Sequence, residues 1–209
     1  MGDGIRTITV IAVGQTGWGI AFLSALAGYR TILEDLTGQL LGRALSEIRA
    51  LAVGQVAAGH LTAPEQEAAL ARLEPQRALD EAAAAADLIV EAAPEDMETK
   101  IEVYTLIDRA APPHCLFASA TPGPSITELG SLTYRAPLVL GMRFPPPVTM
   151  TRRVELVRGH ETSDGALAAA AEVARRMGKQ IVRVDETPGG NTRRGVHDDG
   201  TPKHQTRES

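Results

Sequence analysis

Gly14-Gln15-Thr16-Gly17 is the stretch of this sequence best suited to hold a ligand. It follows an apolar run, Thr7 to Val13, and precedes small and apolar residues at helical spacing from Ile20 to Ala27. A helix that starts there offers free N–H groups and partial positive charge to an anion such as a pyrophosphate. Gly14 would let the backbone approach the phosphates, and Gly17 would let helix and strand pack closely. Asp35 stands about 20 residues further on, at the end of a second apolar run, Thr31 to Leu33. A carboxylate in that place accepts hydrogen bonds from an adenosine ribose. Leu36-Thr37-Gly38 brings no Arg or Lys to meet a 2′-phosphate, so the reading is NAD rather than NADP.

The pattern departs from the usual dinucleotide fingerprint at its first glycine, which is Ala12. A glycine-punctuated strand–helix turn that binds nothing is the plainer alternative. The strand before, the helix after and the acid at the right distance favour the binding unit, with Ala12, Gly14, Gln15, Thr16, Gly17 and Asp35 as its residues.

The elements that must position these residues follow an α/β order. With 209 residues, 44% of them hydrophobic, the chain suits a single core-bearing domain. Thr37 is placed to cap a helix through Leu40, Leu41, Ala44, Leu45, Ile48, Leu51 and Ala52, loosened by Gly54 and Gly59. Thr62-Ala-Pro-Glu65 reads as a capping box that opens another helix. The two form a helical hairpin inserted between the second and third strands, with His60 as a solvated residue of the connection. Ala78 to Ala86 reads as a helix, Leu88 to Ala92 as a central strand, Asp96 to Ala111 as a helix and Cys115 to Ser119 as a strand. Val139 to Met142, Val154 to Val157 and Gln180 to Val184 complete the strands, and Thr162-Ser163 caps a helix before the last of them. The fold class is a Rossmann-type, doubly wound, mainly parallel sheet over residues 1–187. Residues 188–209 are polar, with Val196 the one large apolar residue, and read as a disordered tail.

Composition excludes some classes of partner. A net charge of −5 argues against a nucleic-acid or anionic-membrane binder. One cysteine, Cys115, excludes an internal disulfide, reads as a buried strand thiol and fits the cytoplasm. No metal-ligand motif is apparent.

Taken together, these segments resemble the NAD-binding domain of the 3-hydroxyacyl-CoA dehydrogenases. The resemblance rests on Val10 to Ala21, Ala83 to Glu95 with Lys100, Ser125-Ile-Thr-Glu128, Gly141-Met-Arg-Phe144, Val154-Glu155 and Thr187-Pro-Gly189. It implies hydride transfer between NAD and a 3-hydroxyacyl thioester in fatty acid metabolism, with a small-molecule substrate such as an acyl-CoA. It also implies that Ala93, Glu95, Lys100 and Ala120 border the cofactor, on the loops that follow the central strands.

The same resemblance marks departures. A His–Glu pair takes the substrate proton in that family; here Arg143 occupies the histidine position and Glu155 keeps the glutamate. The family's Asn-Thr-Ser loop reads Ala120-Thr121-Pro122. Arginine stays protonated and cannot act as a base near neutral pH. Two readings of Arg143 stand: an ion pair with Glu155, or an anion site shared with Arg152 or Arg153. The family's C-terminal helical domain is not expected in this chain, nor the dimer it makes. The function is accordingly either an NAD-dependent oxidoreductase with altered site residues or a non-catalytic NAD-binding module.

Overall fold

Isoleucine, valine and leucine fill the strand interiors, and their branched side chains suit a sheet covered on both faces. The computed structural model describes residues 4–12, 14–35, 40–186 and 192–197. In chain order the strands are β1 (Thr7–Ala12), β2 (Arg30–Glu34), β3 (Leu73–Gln76), β4 (Leu88–Ala92), β5 (Leu116–Ser119), β6 (Val139–Arg143), β7 (Arg153–Arg158), β8 (Gln180–Glu186) and β9 (Thr192–His197). They form one sheet in the order β3-β2-β1-β4-β5-β6-β7-β8-β9. Every pairing from β3 across to β6 is parallel. β7 then runs antiparallel to β6, β8 parallel to β7, and β9 antiparallel to β8. The first six strands have the order of a doubly wound dinucleotide fold.

The helices are α1 (Gln15–Leu26), α2 (Leu41–Ala57), α3 (Ala63–Leu70), α4 (Leu79–Ala84), α5 (Met97–Ala110), α6 (Ile126–Ser131) and α7 (Asp164–Arg176). Two apolar clusters divide them between the faces of the sheet. Ile20, Phe22, Ile48, Ala69 and Ala170 place α1, α2, α3 and α7 on one side. Ala83, Tyr104, Ile107 and Leu129 place α4, α5 and α6 on the other.

Local signals account for most helix ends. Thr62 and Glu65 make the reciprocal capping box on α3, Asp96 caps α5, and Ser163 caps α7. Gly28, at φ +92, turns the chain out of α1 into β2. The helical hairpin α2–α3 does lie between the second and third strands, but the third strand is β3, an edge strand that the sequence reading omitted. Thr37 lies outside the described residues. α2 starts at Leu41 and continues through Gly54 to Ala57, further than expected. Its buried stripe of Leu41, Ala44, Ile48 and Ala52 outweighs the roughly 1 kcal/mol that an interior glycine costs. Within the segment read as a disordered tail, Thr192–His197 instead pairs with β8 as β9; residues 187–191 and 198–209 lie outside the described residues.

Candidate functional site

Because β1, β4, β5 and β6 run parallel, their carboxyl ends and the loops beyond them share one edge of the sheet, where ligands of this architecture sit. At β1 the chain enters α1 through Gly14. Among the described residues no side chain caps α1, so the first-turn amides depend on something else for a partner. A β-carbon added to Gly14 would meet nothing within 4 Å, whereas one on Gly17 would lie 2.3 Å from the Ala12 β-carbon. The two glycines therefore do different work. Gly14 leaves open space above the turn, and Gly17 lets α1 lie directly on β1. Ala12 does not crowd the turn, since its methyl fills the gap that Gly17 leaves. Gln15 is exposed and Thr16 partly so.

Asp35 follows β2 and is 2% exposed. The Leu40 amide donates to its Oδ2 at 2.8 Å, so a ribose would share this carboxylate with the start of α2. Its neighbour Glu34 is 1% exposed, and Glu34 Oε2 has no hydrogen-bond partner among the described residues. Burial, and then the adjacent Asp35, push the Glu34 carboxyl up to about 7.

One row of residues crosses the sheet on the α4–α5 side near these strand ends. Ile11 is level with Glu34 on β2 and with Glu91 on β4; Glu91 is level with Ser119, and Ser119 with Gly141. Lys100 Nζ donates to both Glu91 oxygens at 2.8 and 2.7 Å. Ser119 Oγ donates to Glu91 Oε2 at 3.1 Å and is 3.1 Å from Thr121 Oγ1. The Ala93 amide donates to Glu91 Oε1 at 2.6 Å, and the Ala120 amide donates to the Glu91 carbonyl at 2.8 Å. Glu91 thus fixes the loops after β4 and β5 from beneath.

The residues assigned by resemblance fall into two groups. Ala93 and Ala120 are buried at the loop bases, and Glu95 is exposed above them, so close to Gly123 that a β-carbon there would lie 3.0 Å from Glu95 Oε2. Lys100 is different. It is 0% exposed and its ammonium is committed to Glu91, so its part is to hold that carboxylate rather than to face a ligand. Glu91, Ser119 and Thr121 carried no role in the sequence reading, which placed them only within strands and a loop. The available signal was a lone acid in the apolar run Leu88-Ile-Val-Glu-Ala92, which in a buried strand demands a cationic partner.

At the far end of the cleft, Arg143 and Glu155 are directly opposed across β6 and β7. They do not form the expected ion pair. Arg153 Nη2 donates to Glu155 Oε1 at 3.2 Å, and Arg143 Nε is buried without a partner among the described residues. Arg153 shares the β7 face with Glu155 because residues two apart on a strand point the same way; Arg152, exposed, precedes the strand.

On the α1 side, a pocket of about 260 Å³ opens between the glycine turn, α2 and the β6–β7 loop, lined by Thr16, Trp18, Ile48, Leu51, Pro146 and Val148 among others. The loop is anchored by Lys179, whose Nζ donates to the Val148 and Thr151 carbonyls at 2.6 Å each. Burial holds the Lys179 amine below its usual range. Cys115 is buried and its thiol pushed up to about 12, chiefly by burial, which leaves it a packing residue. Among the described residues, no group of His, Cys, Asp and Glu could hold a metal ion, and no helix is long and apolar enough to cross a membrane.

Comparison with known proteins agrees with this geometry. The family model described as "3-hydroxyacyl-CoA dehydrogenase, NAD binding domain" matches residues 7–187. A probable 3-hydroxybutyryl-CoA dehydrogenase of Bacillus subtilis is 34% identical over 185 residues, 88% of this chain and 64% of that protein. A 3-hydroxyadipyl-CoA dehydrogenase of Escherichia coli is 35% identical over 185 residues, 88% of this chain and 39% of its own length. The crystal structure of (S)-3-hydroxybutyryl-CoA dehydrogenase from Ralstonia eutropha superposes with a TM-score of 0.85 at 31% identity, covering 89% of this chain and 65% of that one. The chain therefore spans less than two thirds of each of these relatives.

Proposed function

Since this chain belongs to the 3-hydroxyacyl-CoA dehydrogenase family through its NAD-binding domain, we propose that it serves as the cofactor-holding domain of an oxidoreductase for 3-hydroxyacyl thioesters, with turnover kept low by its site residues. NAD is the cofactor of this domain, and when bound it supplies the hydride acceptor. The observation that supports retained binding is the pairing of open space at Gly14 with close packing at Gly17. The residues present fit the group. The uncapped first turn of α1 would take the pyrophosphate, Asp35 the adenosine ribose, and the loops at Ala93, Glu95 and Ala120 the nicotinamide half.

What the chain's own residues do for the chemistry is more restricted. Oxidation of a hydroxyl needs a group that accepts its proton, and Arg143 carries its proton permanently. Glu155 is held by Arg153. General-base catalysis contributes about 10²–10⁴-fold, and that contribution is missing here. A substrate such as an acyl-CoA would lie against the pocket between α1, α2 and the β6–β7 loop. A fatty acid metabolic role in the cytoplasm belongs to this reading, on the strength of the family and of a single thiol kept buried.

A second reading, a non-catalytic NAD-binding module, is favoured by Arg143 together with Ala120 and Pro122, which lack the groups that the family places there. Calorimetry with NAD, NADH and NADPH tests cofactor binding, and a panel of acyl-CoA substrates followed at the nicotinamide absorbance tests turnover. Absence of NADH binding would remove the proposal. Fast oxidation of a 3-hydroxyacyl-CoA would remove its claim of low turnover.

A further inference from the structure

Arg143 carries an unmet donor in a place where donors are costly to leave unmet. Its Nε is buried and makes no hydrogen bond among the described residues. A buried polar hydrogen without a partner is destabilising, more so on a charged group. The carboxylate directly opposite, Glu155, pairs with Arg153 and not with Arg143, so the Arg143 charge is left unmatched among the described residues. The position is also specific. Arg143 is the last residue of β6, two beyond Gly141, which is level with Ser119 at the end of β5. This is the half of the sheet away from the ribose acid Asp35, where the reacting end of a dinucleotide lies in this fold.

We propose that Arg143 anchors an anion subsite at the reacting end of the cleft, and that this subsite takes the carboxylate of a small hydroxy or oxo acid. The planar guanidinium fork matches a carboxylate. One surplus charge matches a monoanion better than a phosphate dianion. The subsite rests on the assignment of the cleft to NAD and goes beyond the thioester reading: it admits a free acid held by its charge, where the relatives named above are described by CoA thioesters.

Binding of 3-hydroxybutyrate to the NADH-loaded chain tests it without turnover, because reduced cofactor cannot accept a hydride. Calorimetry should show saturable binding of the acid that weakens as salt rises. Methyl 3-hydroxybutyrate, the same skeleton without the charge, should bind at least about tenfold more weakly. Arg143→Gln should lose at least about tenfold in affinity for the acid while the thermal midpoint stays near that of the parent, since Arg143 makes no hydrogen bond or ion pair with another side chain among the described residues. Arg143→Lys should retain part of the binding. Equal affinity for acid and ester, unchanged affinity in Arg143→Gln, or inorganic phosphate binding as tightly as the acid would each overturn the subsite. The NADH titration that precedes these measurements is read separately. If NADH fails to bind, the cofactor assignment falls; if NADH binds and the acid does not, only the subsite falls.

Discussion

Arg143 and Glu155 face each other across the antiparallel β6–β7 pair, yet the Glu155 carboxylate is bonded to Arg153 at 3.2 Å. On the proposed assignment of these positions, two features of the base site are altered: the residue that would take the proton, and the carboxylate that would orient it. Arg143→His alone should give at most trace oxidation of 3-hydroxybutyryl-CoA with NAD. Adding Arg153→Gln releases Glu155 to orient the imidazole and favour its charged form, and should raise the rate further. Initial rates at the nicotinamide absorbance decide this. A single variant as fast as the double would show that the Arg153 pair is irrelevant.

Cofactor choice should depend on Asp35. Its carboxylate sits at the end of β2, where a 2′-phosphate would meet like charge. NADH should bind more tightly than NADPH, and Asp35→Ala should narrow the gap, with a cost of a few tenths to about 2 kcal/mol if the hold on the Leu40 amide is also lost. Equal calorimetric affinities for the two cofactors in the parent chain would sink the assignment.

The contact between Gly17 and Ala12 makes a reciprocal prediction. Gly17→Ala drives two β-carbons to 2.3 Å and should destabilise by roughly 1–3 kcal/mol, as overpacking does. Ala12→Gly removes one of the two methyls, so the double variant should recover most of the loss. A double-mutant cycle by urea unfolding measures the coupling. Additive effects would mean that the clash relaxes elsewhere.

Glu34 should give the fold a measurable pH dependence. Its carboxyl is raised from an ordinary 4.5 to about 7, so between those values the folded chain keeps a proton that the unfolded chain has lost. Stability then falls as pH rises through that window, by on the order of 3 kcal/mol, and the loss is complete above about 7. Glu34→Gln should flatten the curve between pH 5 and 8 and raise the thermal midpoint at pH 8. An unchanged slope in this variant would assign the titration to another group.

Lys100 and Glu91 form a fully buried pair. Lys100→Met leaves an uncompensated carboxylate under the β4 and β5 loops and should cost about 3–5 kcal/mol. Lys100→Met with Glu91→Gln should recover much of this, because the Ala93 amide keeps an acceptor. Urea midpoints at neutral pH test both. A mild effect of the single change would show that water reaches the site.

Short-range features of this protein were legible in its sequence because they depend on period and on neighbours a few residues away. The run Thr7 to Ala12, the glycine turn, α1, β2 and Asp35 stand where their spacing places them. So do the Thr62–Glu65 box and the Ser163 cap. β3 escaped notice because Leu73-Glu-Pro-Gln76 is a half-exposed edge strand with no apolar alternation; its pairing with β2 defines it. β9 escaped for a related reason, since backbone pairing with β8 leaves no mark on composition. Tertiary structure also decided the charges. Arg143, Arg152 and Arg153 are all close to Glu155 along the sequence or across the sheet; the alternation of β7 sets Arg152 apart, and of the two arginines that share a face with Glu155 only the side-chain geometry gives the carboxylate to Arg153. Lys100 could have faced the cleft, but the cost of leaving Glu91 unpaired in the core directs it inward.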